Sequence, residues 1–287
     1  MKYGIIDIGS NSVRLLVSDG RKKLYKKINT TQLGQGLAIS GRLKEQNMLQ
    51  TANAVIEFAR EAKEEGCGEI YAFATEAVRS AINRDEFLAI LSAKGIVVDV
   101  LDSKDEATIG FRGAYTNGKC CVLDIGGAST EIAVGDEKGL VYAKSMPIGL
   151  ARIFDNCKEN LAKIDEYIND IIKGYGQIPE FDELLAIGGT PATFVAMNEN
   201  MTVYRPEIVD NYKLTLSCVE EWTAKIRSLD MEERLEINGL EPKRRNLIVG
   251  GGRLLAAIMR MLGRDCLTVR ESDNLEGYLV ALGEKAL

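Results

Sequence analysis

Two stretches of this chain repeat one arrangement of chemistry-bearing residues. Residues 6–17 read I-D-I-G-S-N-S-V-R-L-L-V and residues 123–134 read L-D-I-G-G-A-S-T-E-I-A-V. They align without a gap, placing Asp7 on Asp124, Gly9 on Gly126, Ser12 on Ser129 and Arg14 on Glu131. Apolar runs rich in β-branched residues flank each copy, which predicts strand, tight Gly/Ser turn, strand. Such a turn lets backbone N–H groups face an anion with no side chain in the way. The aspartate ending the first strand then faces the same spot. A β-hairpin alone is common and implies nothing about ligands. Two gap-free copies sharing Asp-Ile-Gly instead suggest two similar halves with a ligand in the cleft between them.

Composition narrows the chemistry. The chain has 287 residues and no histidine. That excludes Ser-His-Asp triads, histidine-ligated zinc and histidine-based metal phosphohydrolase sites. Carboxylates, hydroxyls, backbone amides and a metal bound by oxygen remain. No GxxxxGK[ST] is present, which excludes a P-loop. The net charge of −6 slightly repels polyanions, so a phosphate ligand needs a local arrangement of donors. The six cysteines form no CxxC pair and read as buried reduced thiols. No secretory leader or membrane-length apolar run is seen, so a cytoplasmic location and no membrane partner are expected.

The elements that must position these residues alternate between strand and helix. Helical apolar spacing runs over residues 46–63, through Met48, Leu49, Ala52, Val55, Ile56 and Ala59. Strands are predicted at 69–74 and 97–101, and helices at 85–92 and 105–115, the latter with Ser103 as N-cap. After a boundary at Thr116-Asn117-Gly118 come the second copy and an amphipathic stretch at 161–173. A strand at 184–187 leads into Gly188-Gly189-Thr190, followed by a helix at 219–228. A strand at 247–249 leads into Gly250-Gly251-Gly252 and a helix at 253–262. This alternation predicts an α/β fold.

These residues resemble the exopolyphosphatase and guanosine pentaphosphate phosphatase (Ppx/GppA) family, of the actin-like ATPase superfamily. The resemblance spans nearly the whole chain in ordered blocks. Residues 7–15, D-I-G-S-N-S-V-R-L, resemble the first phosphate motif, and 33–37, L-G-Q-G-L, the loop after it. Residues 74–81, A-T-E-A-V-R-S-A, with Asn83 resemble the arginine motif, and Asp105-Glu106-Ala107 the acidic motif. Residues 123–131 resemble the second phosphate motif; Ala186–Thr190 and Gly250–Met259 come next in order. Ala128 departs from the usual glycine, Lys104-Asp105-Glu106 replaces a more acidic run, and Ser272–Gly277 is an altered C-terminal motif. The resemblance implies an α/β fold of two ribonuclease-H-like (actin-like ATPase) domains facing each other across a cleft. Residues 1–117 would form the first domain and 118–287 the second, with the short two-domain form of the family and no additional helical domain.

It also implies roles. Glu106 would be the catalytic base, although a glutamate in a first helical turn ordinarily just meets the helix dipole. Ser10, Asn11, Arg79, Gly127, Ala128, Ser129 and Gly189 would bind phosphate. Ordinary turn chemistry is the alternative for the turn residues, and an ion pair with Glu76 the alternative for Arg79. Asp124, Glu131 and Asp7 would hold Mg²⁺, with direct ligation and turn-capping equally open for Asp7. A monovalent cation such as K⁺ is a second candidate ion. Arg14 would support the site or pair with a carboxylate. The implied substrate is polyphosphate or a guanosine polyphosphate, and no nucleic acid is expected. Apolar surface in the second half could support a homodimer, a reading separate from the resemblance. A small-molecule kinase and a non-catalytic nucleotide-binding scaffold of the same superfamily are the rivals. The clusters Arg21-Lys22-Lys23 with Lys26-Lys27, and Lys243-Arg244-Arg245, are candidates for a polyphosphate path, but such clusters are ordinarily solvated surface and Arg21–Lys27 reads as the exposed end of a hairpin.

Overall fold

The computed structural model describes residues 1–285; the last two residues of the expected second domain lie outside that range. Strands β1 (Tyr3–Ile8), β2 (Ser12–Ser18), β3 (Lys23–Thr30), β4 (Glu69–Ala74) and β5 (Val98–Val100) form one sheet, in the order β3-β2-β1-β4-β5. Strands β6 (Cys120–Ile125), β7 (Thr130–Asp136), β8 (Gly139–Met146), β9 (Glu183–Ile187), β10 (Tyr212–Thr215) and β11 (Cys266–Val269) form the other, in the order β10-β11-β9-β6-β7-β8. Each sheet begins with an antiparallel three-strand meander, and its first strand then pairs in parallel with a later one. The same order, 3-2-1-4-5, thus recurs with β10 added at one edge. Register confirms the internal repeat: Asp7 pairs with Arg14 and Asp124 with Glu131. In both hairpins the turn closes with the same bond, Gly9 N–H to Ser12 O and Gly126 N–H to Ser129 O, each 3.0 Å.

The helix Glu45–Glu64 covers the first sheet with Met48, Ala52, Val55, Phe58 and Ala62. Leu49, counted in the apolar stripe from sequence, is half exposed. The helix Ile248–Met261 begins earlier than its sequence suggests. Residues 247–249 form no strand, and Gly250, Gly251 and Gly252 lie inside the helix. A Cβ on Gly252 would stand 2.0 Å from Thr223 Oγ1, and one on Gly250 2.8 Å from Ile153 Cγ2. These glycines serve close helix packing, not a strand-end turn. Cys67, Cys120, Cys121 and Cys157 are buried free thiols as expected, whereas Cys218 is half-buried and Cys266 exposed.

Two helices tie the sheets together. Ser103–Ala114, after β5, packs Ala107, Phe111 and Ala114 onto Cys120, Val122, Ala133 and Leu185 of the second sheet. Asn274–Lys285, after β11, packs Leu275 and Tyr278 onto Ile5, Leu16 and Phe73 of the first sheet. The rings of Phe73 and Tyr278 stack with centroids 4.7 Å apart. The two helices cross at glycines: a Cβ on Gly277 would lie 1.7 Å from Ile109 O, and one on Gly113 1.9 Å from Asp273 O. The N-cap of Ser103–Ala114 is Asp102, not Ser103. Its carboxylate accepts from the N–H groups of Lys104 and Asp105, both at 2.8 Å, because the chain leaves β5 one residue earlier than expected.

Candidate active site

Parallel strands end on the same edge of a sheet, so the turns and helices after them gather there. On the first sheet that edge carries the turn Gly9–Asn11 after β1, the short helix Glu76–Ser80 after β4, and the helix bearing Glu106 after β5. On the second it carries Gly126–Ser129 after β6, Gly188-Gly189 after β9 and Asp273-Asn274 after β11. The two edges meet. A Cβ on Gly127 would lie 3.1 Å from Ser10 Cβ and 3.4 Å from Asn11 N. The twin turns are therefore in contact distance of each other.

Both turns are held by their carbonyls. Ser10 O accepts from Gly34 N–H at 2.7 Å, and Asn11 O from Thr31 and Gln32 N–H at 3.1 and 2.8 Å. Gly126 O accepts from Leu150 N–H at 3.1 Å, Gly127 O from Ala151 and Arg152 N–H at 2.8 and 3.2 Å, and Ala128 O from Arg152 Nε at 2.9 Å. With carbonyls turned outward, the backbone N–H groups face the other way. Among the described residues, those of Ser10, Asn11, Gly127, Ala128 and Ser129 have no protein acceptor. An unpaired N–H in a buried turn is costly, and an oxyanion satisfies it. Gly189 opens the helix Gly189–Asn198, adding a positive helix end to the same edge.

Acidic groups surround the cradle. Glu106 is buried, and its Oε2 accepts from Arg79 Nη1 at 2.9 Å. Burial pushes its carboxyl up to about 7, against the pull of Arg79 and with Asp124 and Asp7 adding to the rise. Burial likewise lifts Asp124 to about 6, partly opposed by Arg14 and by Asn274 Nδ2, which donates to Asp124 Oδ2 at 2.9 Å. Glu131 stands well above the usual carboxylate range through burial and the charges of Glu106 and Asp124; its Oε1 accepts from Ser145 Oγ at 2.6 Å. Burial and neighbouring acidic charges thus raise all three carboxyls, against the pull of Arg79 on Glu106 and of Arg14 on Asp124. A bound cation would relieve that repulsion. Among the described residues no three Asp, Glu or Cys side chains come together as a metal-holding cluster.

Asp7 differs from its counterpart. Its Oδ2 accepts from Arg14 Nε at 2.9 Å and from Nη2, while Arg14 Nη1 donates to Asp273. Burial disfavours the Arg14 charge, but Asp273 and Asp7 outweigh it and hold the guanidinium protonated. Arg14 thus salt-bridges Asp7, yet burial outweighs that pull and still raises the Asp7 carboxyl; pairing with a carboxylate was one of the two roles that the strand position of Arg14 suggested. Arg79 makes the ion pair that was the alternative to its phosphate role: Nη2 donates to Glu76 Oε2 at 2.8 Å, and Nη1 to Glu106 and to Leu101 O, the latter at 2.7 Å.

The basic clusters do not act as units. Lys26 is turned inward, its Nζ 2.8 Å from Glu276 Oε2 and 3.4 Å from Asp273 Oδ1, while Lys27 pairs with Glu61 on the surface. Lys243 Nζ donates to Thr30 O. Arg244 is the residue whose place the sequence did not reveal. Its guanidinium fills the space beside Gly189, where a Cβ would stand 2.1 Å from Nη2. Among the described residues Glu241 is its ion-pair partner, through Nε at 3.3 Å, and burial lowers its pKa. Its presence in a Lys-Arg-Arg run was the available signal.

The two sheets and their facing turns have the actin-like α/β fold. A family model described as the Ppx/GppA phosphatase family matches residues 16–285, so the chain belongs to the Ppx/GppA phosphatase family. It is 26% identical to exopolyphosphatase 2 of Mycobacterium tuberculosis, with 98% of both chains covered. It is 28% identical to a bifunctional 3-dehydroquinate synthase/phosphatase of Fusobacterium nucleatum; there 96% of this chain spans only 46% of the longer protein. The crystal structure of the Aquifex aeolicus family member superposes with a TM-score of 0.81 at 27% identity, covering 100% of this chain and 98% of that one. Among the described residues no helix is long and apolar enough to cross a membrane.

Proposed function

We propose that this chain is an exopolyphosphatase-type hydrolase that releases the terminal phosphate of inorganic polyphosphate with Mg²⁺. The observation that carries the reading is the meeting of two turns with open N–H groups, with the buried carboxylate of Glu106 close by. The terminal phosphoryl oxygens would be held by the N–H groups of Ser10, Asn11, Gly127, Ala128 and Ser129, by the helix end at Gly189, and by Arg79 and Arg244. Asp124 and Glu131 would hold the cation, with Asp7, salt-bridged to Arg14, as the third candidate. When bound, the cation supplies charge neutralisation at the phosphate oxygens.

Glu106 would orient a water in line with the bridging oxygen and take its proton. The water oxygen bonds to the terminal phosphorus, the bridging P–O bond breaks, and the shortened chain leaves with that electron pair. A carboxyl near pH 7 suits a general base. Guanosine pentaphosphate ends in the same phosphoanhydride and is the second reading. The test compares phosphate release from short polyphosphate, long polyphosphate, guanosine pentaphosphate and ATP, with Mg²⁺ and with chelator. Mg²⁺-dependent release, fastest from polyphosphate, is the expected result. No release from any of the four, or transfer to an added acceptor in place of water, would sink it in favour of a scaffold or a kinase.

A further inference from the structure

Glu76 is more than a partner of Arg79, because its two carboxylate oxygens serve opposite sides of the cleft. Oε2 accepts from Arg79 Nη2 at 2.8 Å, on the same short helix after β4. Oε1 accepts from Arg152 Nη2 at 2.9 Å, on the helix Leu150–Cys157 that holds the second turn. Arg152 in turn gives its Nε to Ala128 O, and Arg79 its Nη1 to Glu106 Oε2, both at 2.9 Å. A continuous chain of four bonds therefore runs from the second phosphate turn to the base: Ala128 O, Arg152, Glu76, Arg79, Glu106. The side chains of Glu76, Arg79 and Arg152 are 14%, 17% and 19% exposed, and that of Glu106 6%. Exposed ion pairs are often adventitious and contribute little. A largely buried series of planar guanidinium forks is geometrically restrictive.

We propose that Glu76 and Arg152 are positioning residues that fix Glu106 relative to the second phosphate turn. Neither would touch the reacting atoms. Arg79 faces two carboxylates, and with Glu76 gone its guanidinium would be free to follow Glu106 or swing toward the phosphate. With Arg152 gone, Glu76 would lose its anchor on the far side of the cleft. The distance from base to bound phosphate would then be set only by flexible side chains, and displacements of about 1 Å can lower turnover roughly 10²-fold. The proposal rests on the reading of Glu106 as the base.

The experiment measures kcat and KM for short polyphosphate in E76Q, R152K, the double variant and E106Q, with thermal melts of each. Glu76→Gln keeps shape and removes charge; Arg152→Lys keeps charge and removes the fork. Each single change is expected to lower kcat roughly ten-fold or more, to move KM by less than about three-fold and to leave the melting temperature near wild type. The double variant should be no slower than the slower single, since both break one chain. Wild-type kcat in either single variant, losses that multiply in the double, or losses that appear only with a lowered melting temperature overturn the proposal. E106Q separates the two readings: wild-type turnover there removes the base itself, whereas a slow E106Q beside unaffected E76Q and R152K removes only the positioning chain.

Discussion

Glu106 owes its suitability as a base to opposing forces on one side chain. Burial lifts its carboxyl to about 7, while Arg79 keeps it from rising further. Glu106→Gln preserves size and polarity and removes the proton acceptor, so steady-state phosphate release should fall by a factor on the order of 10² or more, with the fold intact by circular dichroism. Wild-type turnover would end the assignment. The same burial has a consequence for stability. Carboxylates in the unfolded chain ionise near ~4, whereas Asp124 and Glu106 are raised to about 6 and about 7. A raised acid contributes stability that is complete below its unfolded value and lost as pH climbs through its folded value. With chelator present, the melting temperature should therefore be lower at pH 8 than at pH 5, and saturating Mg²⁺ should raise it more at pH 8. Equal Mg²⁺ shifts at both pH values would argue that the cation does not sit among these groups.

Elements place the residues through contacts that leave little room. The helix bearing Glu106 crosses the C-terminal helix backbone against backbone, with the Gly277 Cβ position 1.7 Å from Ile109 O. Gly277→Ala must push the two helices apart, and overpacking of that severity costs roughly 1–3 kcal/mol or more. Urea unfolding should report that loss, and kcat should fall because Glu106 moves with its helix. An alanine variant as stable and active as wild type would mean that the helices separate easily.

The whole molecule is tied across its middle. Residues 1–117 and 118–287 remain the two proposed units, divided at Thr116-Asn117-Gly118. Yet Leu275 and Tyr278 complete the core around Ile5, Leu16 and Phe73, while Phe111 and Ala114 complete the core around Cys120 and Val122. Burying a large apolar side chain contributes roughly 1.5–3 kcal/mol, comparable with much of a domain's net stability. A fragment of residues 1–117 alone should therefore show poor amide dispersion by NMR, and residues 118–287 likewise. Coexpression of both fragments should restore dispersed spectra. A well-dispersed spectrum from the first fragment alone would show that the exchanged helices are dispensable.

Local patterns were legible in the chain itself. The twin Asp-Ile-Gly turns, the α/β alternation and the strand at 69–74 arise from glycine, β-branched residues and apolar period, which act over a few neighbours. Packing over long sequence distances was not legible. The triple glycine reads as a turn until Thr223 and Ile153 press against it as a helix face. Asp7 and Asp124 are identical in their repeats, yet Arg14 salt-bridges the first, and Asn274, 150 residues away, holds the second. Charge balance in a buried site is a sum over every group within a few ångströms. Tertiary structure alone decides which groups those are.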